Sequence, residues 1–204
     1  MQEVLDIKIT PLSPACGAEI GGVDLTKPLS EPVFQSIKAA WAKHLVLVFR
    51  GQAVSQDDQL RFASYFGDLG SRKKAPEPLR ERAEGVMQDH EKVLLVTNIK
   101  VDGQPIGAFG DGEFWFHIDS GYSARPYKYT FLYAVELPAT GGNTMFSNMY
   151  KAYEAVPPLL KEKLAGKKAL HIHEYNRSKQ ANHAGDIGGI PHYFHPVFIT
   201  HPDT

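Results

Sequence analysis

The stretch "FWFHIDSGY", residues 114–122, sets a histidine and a carboxylate one residue apart, directly behind three aromatics. On a strand, successive side chains alternate faces, so His117 and Asp119 would point the same way with Ile118 opposite. An imidazole nitrogen and a carboxylate oxygen on one face can chelate a divalent metal. They supply two of the three donors of a 2-His-1-carboxylate set, whose open positions suit non-haem Fe(II) and oxygen chemistry. The same donors also suit zinc hydrolysis. The plainer alternative is a His–Asp hydrogen bond on a solvated strand. The flanks Phe114, Trp115 and Phe116 are expected to build a dry apolar wall. Gly107, Gly110 and Gly112 are expected to let the incoming backbone pass close to something.

Two other pairs compete for attention. His201-Pro202-Asp203 repeats the spacing, but the proline makes it a turn rather than a strand, so a structural role is expected there. His171-Ile172-His173 is a second same-face pair and could chelate metal as cupins do. A cupin motif wants a glutamate a few residues later, whereas Glu174 follows at once on the opposite face. That pair therefore reads as strand-surface histidines.

The elements that would position these residues can be read from local signals. "LDIKIT" alternates as a strand. "SEPVFQSIKAAWAKHL" has Pro32 in its first turn and Phe34, Ile37 and Trp41 on one helical face. Residues 45–50, "LVLVFR", read as a buried strand. Ser55 as N-cap, Asp58 three residues on, the stripe Leu60/Ala63/Phe66 and the stop at Gly67 mark a second helix. "KVLLVTNIK" meets "VDGQPIG" through the hairpin signal Asp102-Gly103. "YKYTFLYAVELP" reads as a long strand apolar on both faces, and "GGNTMFSN" as a short one. "MYKAYEAVPPLLKEKLAG" should form two short helices split at Pro157-Pro158 and stopped by Gly166. "KKALHIHEY" and "HPVFIT" are the last strands. The polar segment 176–192, bearing Gly185, Gly188 and Gly189, is a lid candidate.

Composition narrows the class. The chain has 204 residues, 43% of them apolar, with 18 glycines and 14 prolines, which suits one turn-rich globular domain. A net charge of −1 gives no electrostatic reason to expect nucleic acid or an anionic membrane. The lone Cys16 sits in the turn-like "SPACGAE" without a neighbouring base, so it is neither bridged nor catalytic. No stretch approaches the roughly 20 apolar residues of a membrane span. The N-terminus lacks the blocks of a signal peptide, and a cytoplasmic protein is expected.

"WFHIDSGY", "YTFLYAVELPATGGNTMFSNMYKAYEAVP" and "HPVFITHPDT" together resemble, in order and spacing, the taurine and 2,4-dichlorophenoxyacetate dioxygenase family. These are Fe(II)/2-oxoglutarate-dependent oxygenases. "GAEIGGVDLTKPLS", "VLVFRGQAVS" and "FASYFGDLG" match the family's N-terminal region, so the resemblance runs almost from end to end. It implies an α+β, mainly β fold: a double-stranded β-helix, or jelly roll of the clavaminate synthase-like kind, with flanking helices. One oxygenase domain over residues 1–204, lacking its C-terminal strands, is expected.

The resemblance further implies that His117 and Asp119 are the catalytic iron ligands. Thr144, in "GGNT", takes the position whose hydroxyl contacts a 2-oxoglutarate carboxylate, although Asn143 stands where aspartate is commoner. Arg72 falls where some members contact an anionic substrate group, and Asn98 and Phe116 fall beside the pocket. The third ligand, a histidine, and the arginine that pairs with the 2-oxoglutarate C5 carboxylate are expected beyond Thr204. The implied reaction is hydroxylation of a small organic acid by O2, with 2-oxoglutarate giving succinate and CO2. A homo-oligomer without nucleic acid or membrane partners is expected. Two alternatives stand beside it: a cupin-like metal-dependent hydrolase or isomerase, and a non-catalytic truncated oxygenase.

Overall fold

Pro32 opens and Leu45 closes the first helix, and both do so by backbone restriction. The computed structural model describes residues 7–70, 92–107, 115–173, 187 and 189–204. In it α1 (Glu31–His44) starts with proline in its first turn and ends at Leu45 in the left-handed region, φ 68°, with the Leu45 N–H donating to the Trp41 carbonyl. The chain forms two units: Met1–Gly67, Lys128–Ala169 and Phe194–Thr204 in the first, Asp68–Tyr127 and Leu170–Tyr193 in the second.

In the first unit β1 (Lys8–Pro11) pairs antiparallel with β2 (Ala18–Gly21), which pairs parallel with β3 (Leu47–Val48). A parallel pair needs a crossover, and α1 supplies it. Its Ile37 and Ala40 pack with Ile20, Leu25 and Phe62, and its buried Phe34 lies against Tyr65 and Phe66. Ile37 is fully buried, which contributes about 1.5–3 kcal/mol. The expected strand over 45–50 shrinks to Leu47–Val48, because only these two residues meet a partner.

α2 (Gln56–Ser64) carries a complete capping box. The Ser55 hydroxyl accepts from the Asp58 N–H, and the Asp58 carboxylate accepts from the Ser55 N–H at 2.9 Å. Two side chains then fix the loop before α1. Gln52 accepts from the Leu25 N–H at 2.9 Å and donates to the Val23 carbonyl at 3.0 Å. Arg61 donates to the Leu25 carbonyl at 2.9 Å.

Residues 127–138 do not enter a sheet. Around Phe131 they keep the alternation of a strand: Tyr129, Phe131 and Tyr133 are half-buried while Thr130 and Leu132 are exposed. The inward face packs by aromatic edges, Phe131 on Phe62 at 5.7 Å and on Phe66 at 5.2 Å, and Tyr129 on Phe66 at 5.0 Å. The outward-facing Leu132 lies in solvent, and past Tyr133 the alternation ends, leaving Val135 and Leu137 exposed as well. Alternation is encoded in these residues, but a ladder needs a neighbour the local sequence does not name. The "GGNTMFSN" segment likewise forms no strand. Its Asn148 instead caps α3 (Met149–Ala155), accepting from the Tyr150 and Lys151 N–H groups. α4 (Pro158–Leu164) follows the break at Pro157, and Gly166 at φ 70° ends the pair.

In the second unit β4 (Lys100–Val101) and β5 (Gln104–Pro105) form the expected hairpin, with φ 51° at Asp102 and 74° at Gly103. Two positive φ values in succession are what a type I′ turn requires. The strand before it is shorter than expected, since only its last residue, Lys100, joins the ladder. Gly107 does lie against other backbone: a Cβ there would run into the Thr97 carbonyl. Gly110 and Gly112 lie outside the described residues.

β6 (Lys168–Ile172) pairs with β7 (His192–Pro196). The last strand thus sits earlier than the expected 195–200, its start fixed by the proline-led segment whose Pro191 carbonyl accepts from the His173 N–H at 2.9 Å. Among the described residues, helix outweighs strand and the sheets are three separate ones, a less strand-rich balance than the sequence suggested. None of their helices is long and apolar enough to cross a membrane.

Ser55→Ala should destabilise the fold by about 1 kcal/mol, because it removes the acceptor for an orphan helix N–H. Urea unfolding of the variant against wild type measures this. The Ser55 hydrogen bonds hold the Asp58 carboxyl below its ordinary range. A lowered folded-state value means the contribution is present above about pH 4 and fades as pH falls below it.

Candidate functional site

His117 and Asp119 do not sit on a strand. Residues 115–119 are irregular and run into a turn, in which Ser120 has φ 57° and the Ser123 N–H donates to the Ser120 carbonyl at 2.9 Å. The two side chains nevertheless converge, with His117 Nε2 3.3 Å from Asp119 Oδ1. The other ring nitrogen, Nδ1, lies 2.7 Å from the Trp115 carbonyl oxygen.

That oxygen can only accept, so Nδ1 carries the proton of this bond. In the neutral ring Nε2 is then a lone pair, the form in which histidine binds metal. A lone pair and a carboxylate oxygen 3.3 Å apart are two acceptors side by side. A positive species between them, either a proton on Nε2 or a cation, would make that arrangement favourable. Both side chains are about half-exposed, 52% for His117 and 40% for Asp119, so a metal ion from solvent reaches them. Among the described residues no third His, Cys, Asp or Glu joins the pair to make a metal-holding group. The donor set fits two positions of a metal site.

The aromatic wall is not formed. Trp115 is 77% and Phe116 67% exposed, because among the described residues nothing packs over them. Phe114 lies outside those residues. Thr144 belongs to the first unit, exposed in irregular chain between Gly142 and the Asn148 cap rather than on a strand. Asn98 is exposed in the irregular chain before β4. Arg72 lies outside the described residues, as does the lid candidate apart from residue 187 and residues 189–192.

The remaining motifs take structural roles. Cys16 sits in a turn that the Ser13 hydroxyl closes, accepting from the Cys16 N–H and donating to its carbonyl. His201-Pro202-Asp203 is a turn, as its proline required, and it pins residues 201–204 down. His201 Nε2 bonds the Lys128 carbonyl at 3.0 Å, Lys128 pairs with Asp203 at 2.8 Å, and the Tyr129 hydroxyl donates to the same carboxylate. Trp41 stacks on both Tyr129, at 4.5 Å, and His201, at 5.2 Å. This cluster was not foreseen, although Trp41 on the apolar stripe of α1 was its one local sign. The bonds from Lys128 and then Tyr129 hold the Asp203 carboxyl below its ordinary range. Burial first, then the Asp203 carboxylate, raises the Tyr129 phenol above its own.

A model of the family described as "Taurine catabolism dioxygenase TauD, TfdA family" matches residues 8–204. Pentalenolactone F synthase of Streptomyces avermitilis is 38% identical over 175 residues, covering 84% of this chain and 54% of its own length. The alpha-ketoglutarate-dependent 2,4-dichlorophenoxyacetate dioxygenase of Cupriavidus pinatubonensis is 32% identical over 177 residues, covering 82% and 58% respectively. The chain thus spans little more than half the length of these two relatives. Among solved structures, AAD-2 in complex with Mn(II) and N-oxalylglycine superposes with a TM-score of 0.65 at 22% identity, over 97% of this chain and 66% of that one. A taurine dioxygenase from Burkholderia xenovorans gives 0.62 at 23% identity, over 97% and 60%. These two show a shared fold.

Because the folded-state value of Asp203 is lowered, its bonds contribute above about pH 4 and are lost as pH falls below it. In a Trp115→Phe background, Trp41 emission should therefore show a transition below that pH. Asp203→Asn should remove it. A transition unchanged in Asp203→Asn would show that another group governs this segment.

Proposed function

The chain belongs to the taurine catabolism dioxygenase TauD/TfdA family, and on that premise we propose that the full-length protein is an Fe(II)- and 2-oxoglutarate-dependent dioxygenase. It hydroxylates a small organic acid, with 2-oxoglutarate leaving as succinate and CO2. The observation that carries the proposal is the convergence of His117 Nε2 and Asp119 Oδ1 at 3.3 Å, with Nδ1 held by a carbonyl. The relatives' names favour an oxygenase over a metal-dependent hydrolase or isomerase.

Iron, when bound, supplies the oxygen chemistry. The chain's own residues bind and orient. His117 offers Nε2, because its Nδ1–H donates to the Trp115 carbonyl. Asp119 brings a negative charge that offsets part of the cation's. A Mn(II) ion and N-oxalylglycine, an analogue of 2-oxoglutarate, accompany the AAD-2 structure, which supports the same pair of cofactors here. We assign Thr144 to a 2-oxoglutarate carboxylate, as its exposed hydroxyl can donate one hydrogen bond. Arg72, Asn98 and Phe116 are assigned to the substrate.

His117 and Asp119 would supply two donors, and a 2-His-1-carboxylate set would take a third from the protein. We assign it to a histidine beyond Thr204 in the full-length product, with an arginine for the C5 carboxylate. The complete domain is proposed to be a double-stranded β-helix. It is further proposed to be cytoplasmic and homo-oligomeric, with neither nucleic acid nor membrane as partner.

The full-length protein, given Fe(II) and 2-oxoglutarate, should release CO2 from the C1-labelled co-substrate, and a panel of small organic acids should stimulate that release. His117→Ala and Asp119→Ala should each reduce it to background. Their melting temperatures should stay within a few degrees of wild type, since half-exposed side chains contribute little packing. Normal turnover in either variant, or no succinate from wild type, would overturn the proposal.

A further inference from the structure

The turn that follows Asp119 rests on β6, and it does so on the two histidines that take no part in the metal pair. Tyr122 packs edge-on against His173, ring centroids 4.1 Å apart at 63°. Gly121 is buried, and a Cβ built there would lie 3.0 Å from His171 Nδ1 and 3.1 Å from Ile118 Cγ1. His171 lies in β6 and His173 one residue past its end, so the end of the strand and the residue beyond it meet Gly121 and Tyr122. The contact reaches back to Ile118, the residue between the two metal donors. All of these residues lie in the second unit.

We propose that His171 and His173 are positioning residues: their rings form a platform that holds the 120–123 turn, and with it the convergence of His117 and Asp119. This inference rests on the metal role given to that pair above. Three observations require such a platform. The segment from Trp115 to Ser123 has no place in a sheet. Ser120 is held at φ 57°, a conformation a serine keeps only where its surroundings over-determine it. A Cβ at Gly121 would press on the His171 and Ile118 side chains more tightly than ordinary contact, so the turn lies close against His171. The platform is itself anchored, since β6 pairs with β7 and the His173 N–H donates to the Pro191 carbonyl at 2.9 Å. Among the described residues the pair makes no three-donor group with His117 and Asp119.

The test is a Co(II) titration of the full-length protein, read in the visible spectrum, with melting temperature as the control for folding. Outer partners that orient a ligand change metal affinity by about 10–100-fold. His173→Ala, which removes the surface under Tyr122, should weaken Co(II) binding by that factor and shift its absorption bands. Gly121→Ala, which wedges one methyl between the turn and His171, should do the same. His173→Phe, which keeps the ring and removes its nitrogens, should bind as wild type does. Wild-type affinity and spectrum in both His173→Ala and Gly121→Ala would overturn the proposal. So would a His173→Phe protein as weak as His173→Ala, since the nitrogens and not the ring would then matter. Should His173→Ala fail to fold, Gly121→Ala against His173→Phe decides. Wild-type protein that binds no Co(II) while His117→Ala behaves identically would defeat the metal reading itself, and the platform with it.

Discussion

Two donors one residue apart converge only when the backbone between them is held, and here no ladder holds it. A strand would give His117 and Asp119 a common face at no further cost. The observed segment is irregular, so convergence depends on a carbonyl fixing one ring nitrogen and a left-handed serine turning the chain. A serine in that region costs of order 1–3 kcal/mol unless its neighbours stabilise it. Those neighbours are the buried Gly121 and the Tyr122 ring, both seated on β6. The histidine pair that looked like a rival metal site is better understood as the floor under the other pair.

The first unit follows a different constraint, the need of a parallel strand pair for a covered crossover. α1 meets it by burying Phe34, Ile37 and Ala40, and α2 extends the same core through Phe62. Aromatic edges carry that core onward to Phe66, Phe131 and Tyr129, and then to Trp41 and His201. The second H-x-D motif is the end of this row: its carboxylate serves Lys128 and Tyr129, and no metal is needed to explain it. Two copies of one pattern thus separate by their partners. One carboxylate faces a lysine and a tyrosine hydroxyl, and the other lies beside an imidazole nitrogen.

What could be read in the sequence was what a few adjacent residues encode. The Ser55/Asp58 box, the Asp102-Gly103 turn, the break at Pro157-Pro158 and the stop at Gly166 each act within four residues, and each formed as expected. Among the strands, "LDIKIT" and "KKALHIHEY" formed in part, whereas residues 127–138 and 141–148 did not. "YKYTFLYAVELP" is apolar on both faces and alternates in burial only around Phe131, since pairing depends on a partner elsewhere in the chain. The same reason explains the exposed Leu132, Val135 and Leu137. At the site, residue types and spacing identified the pair correctly as neighbours but assigned the wrong backbone, because period-two spacing and a tight turn both bring i and i+2 together. The family resemblance was legible because it rests on the order of several motifs, which survives even where local secondary structure is misjudged.

The central claim is that His117 and Asp119 hold one divalent ion together. Anomalous diffraction from crystals of the full-length protein soaked in Mn(II) without oxygen tests it most directly. A single strong peak is expected within bonding distance, about 2 Å, of both His117 Nε2 and Asp119 Oδ1. A peak at other residues, or none beside this pair while the Asp119 carboxylate bonds a protonated His117 ring, would contradict it.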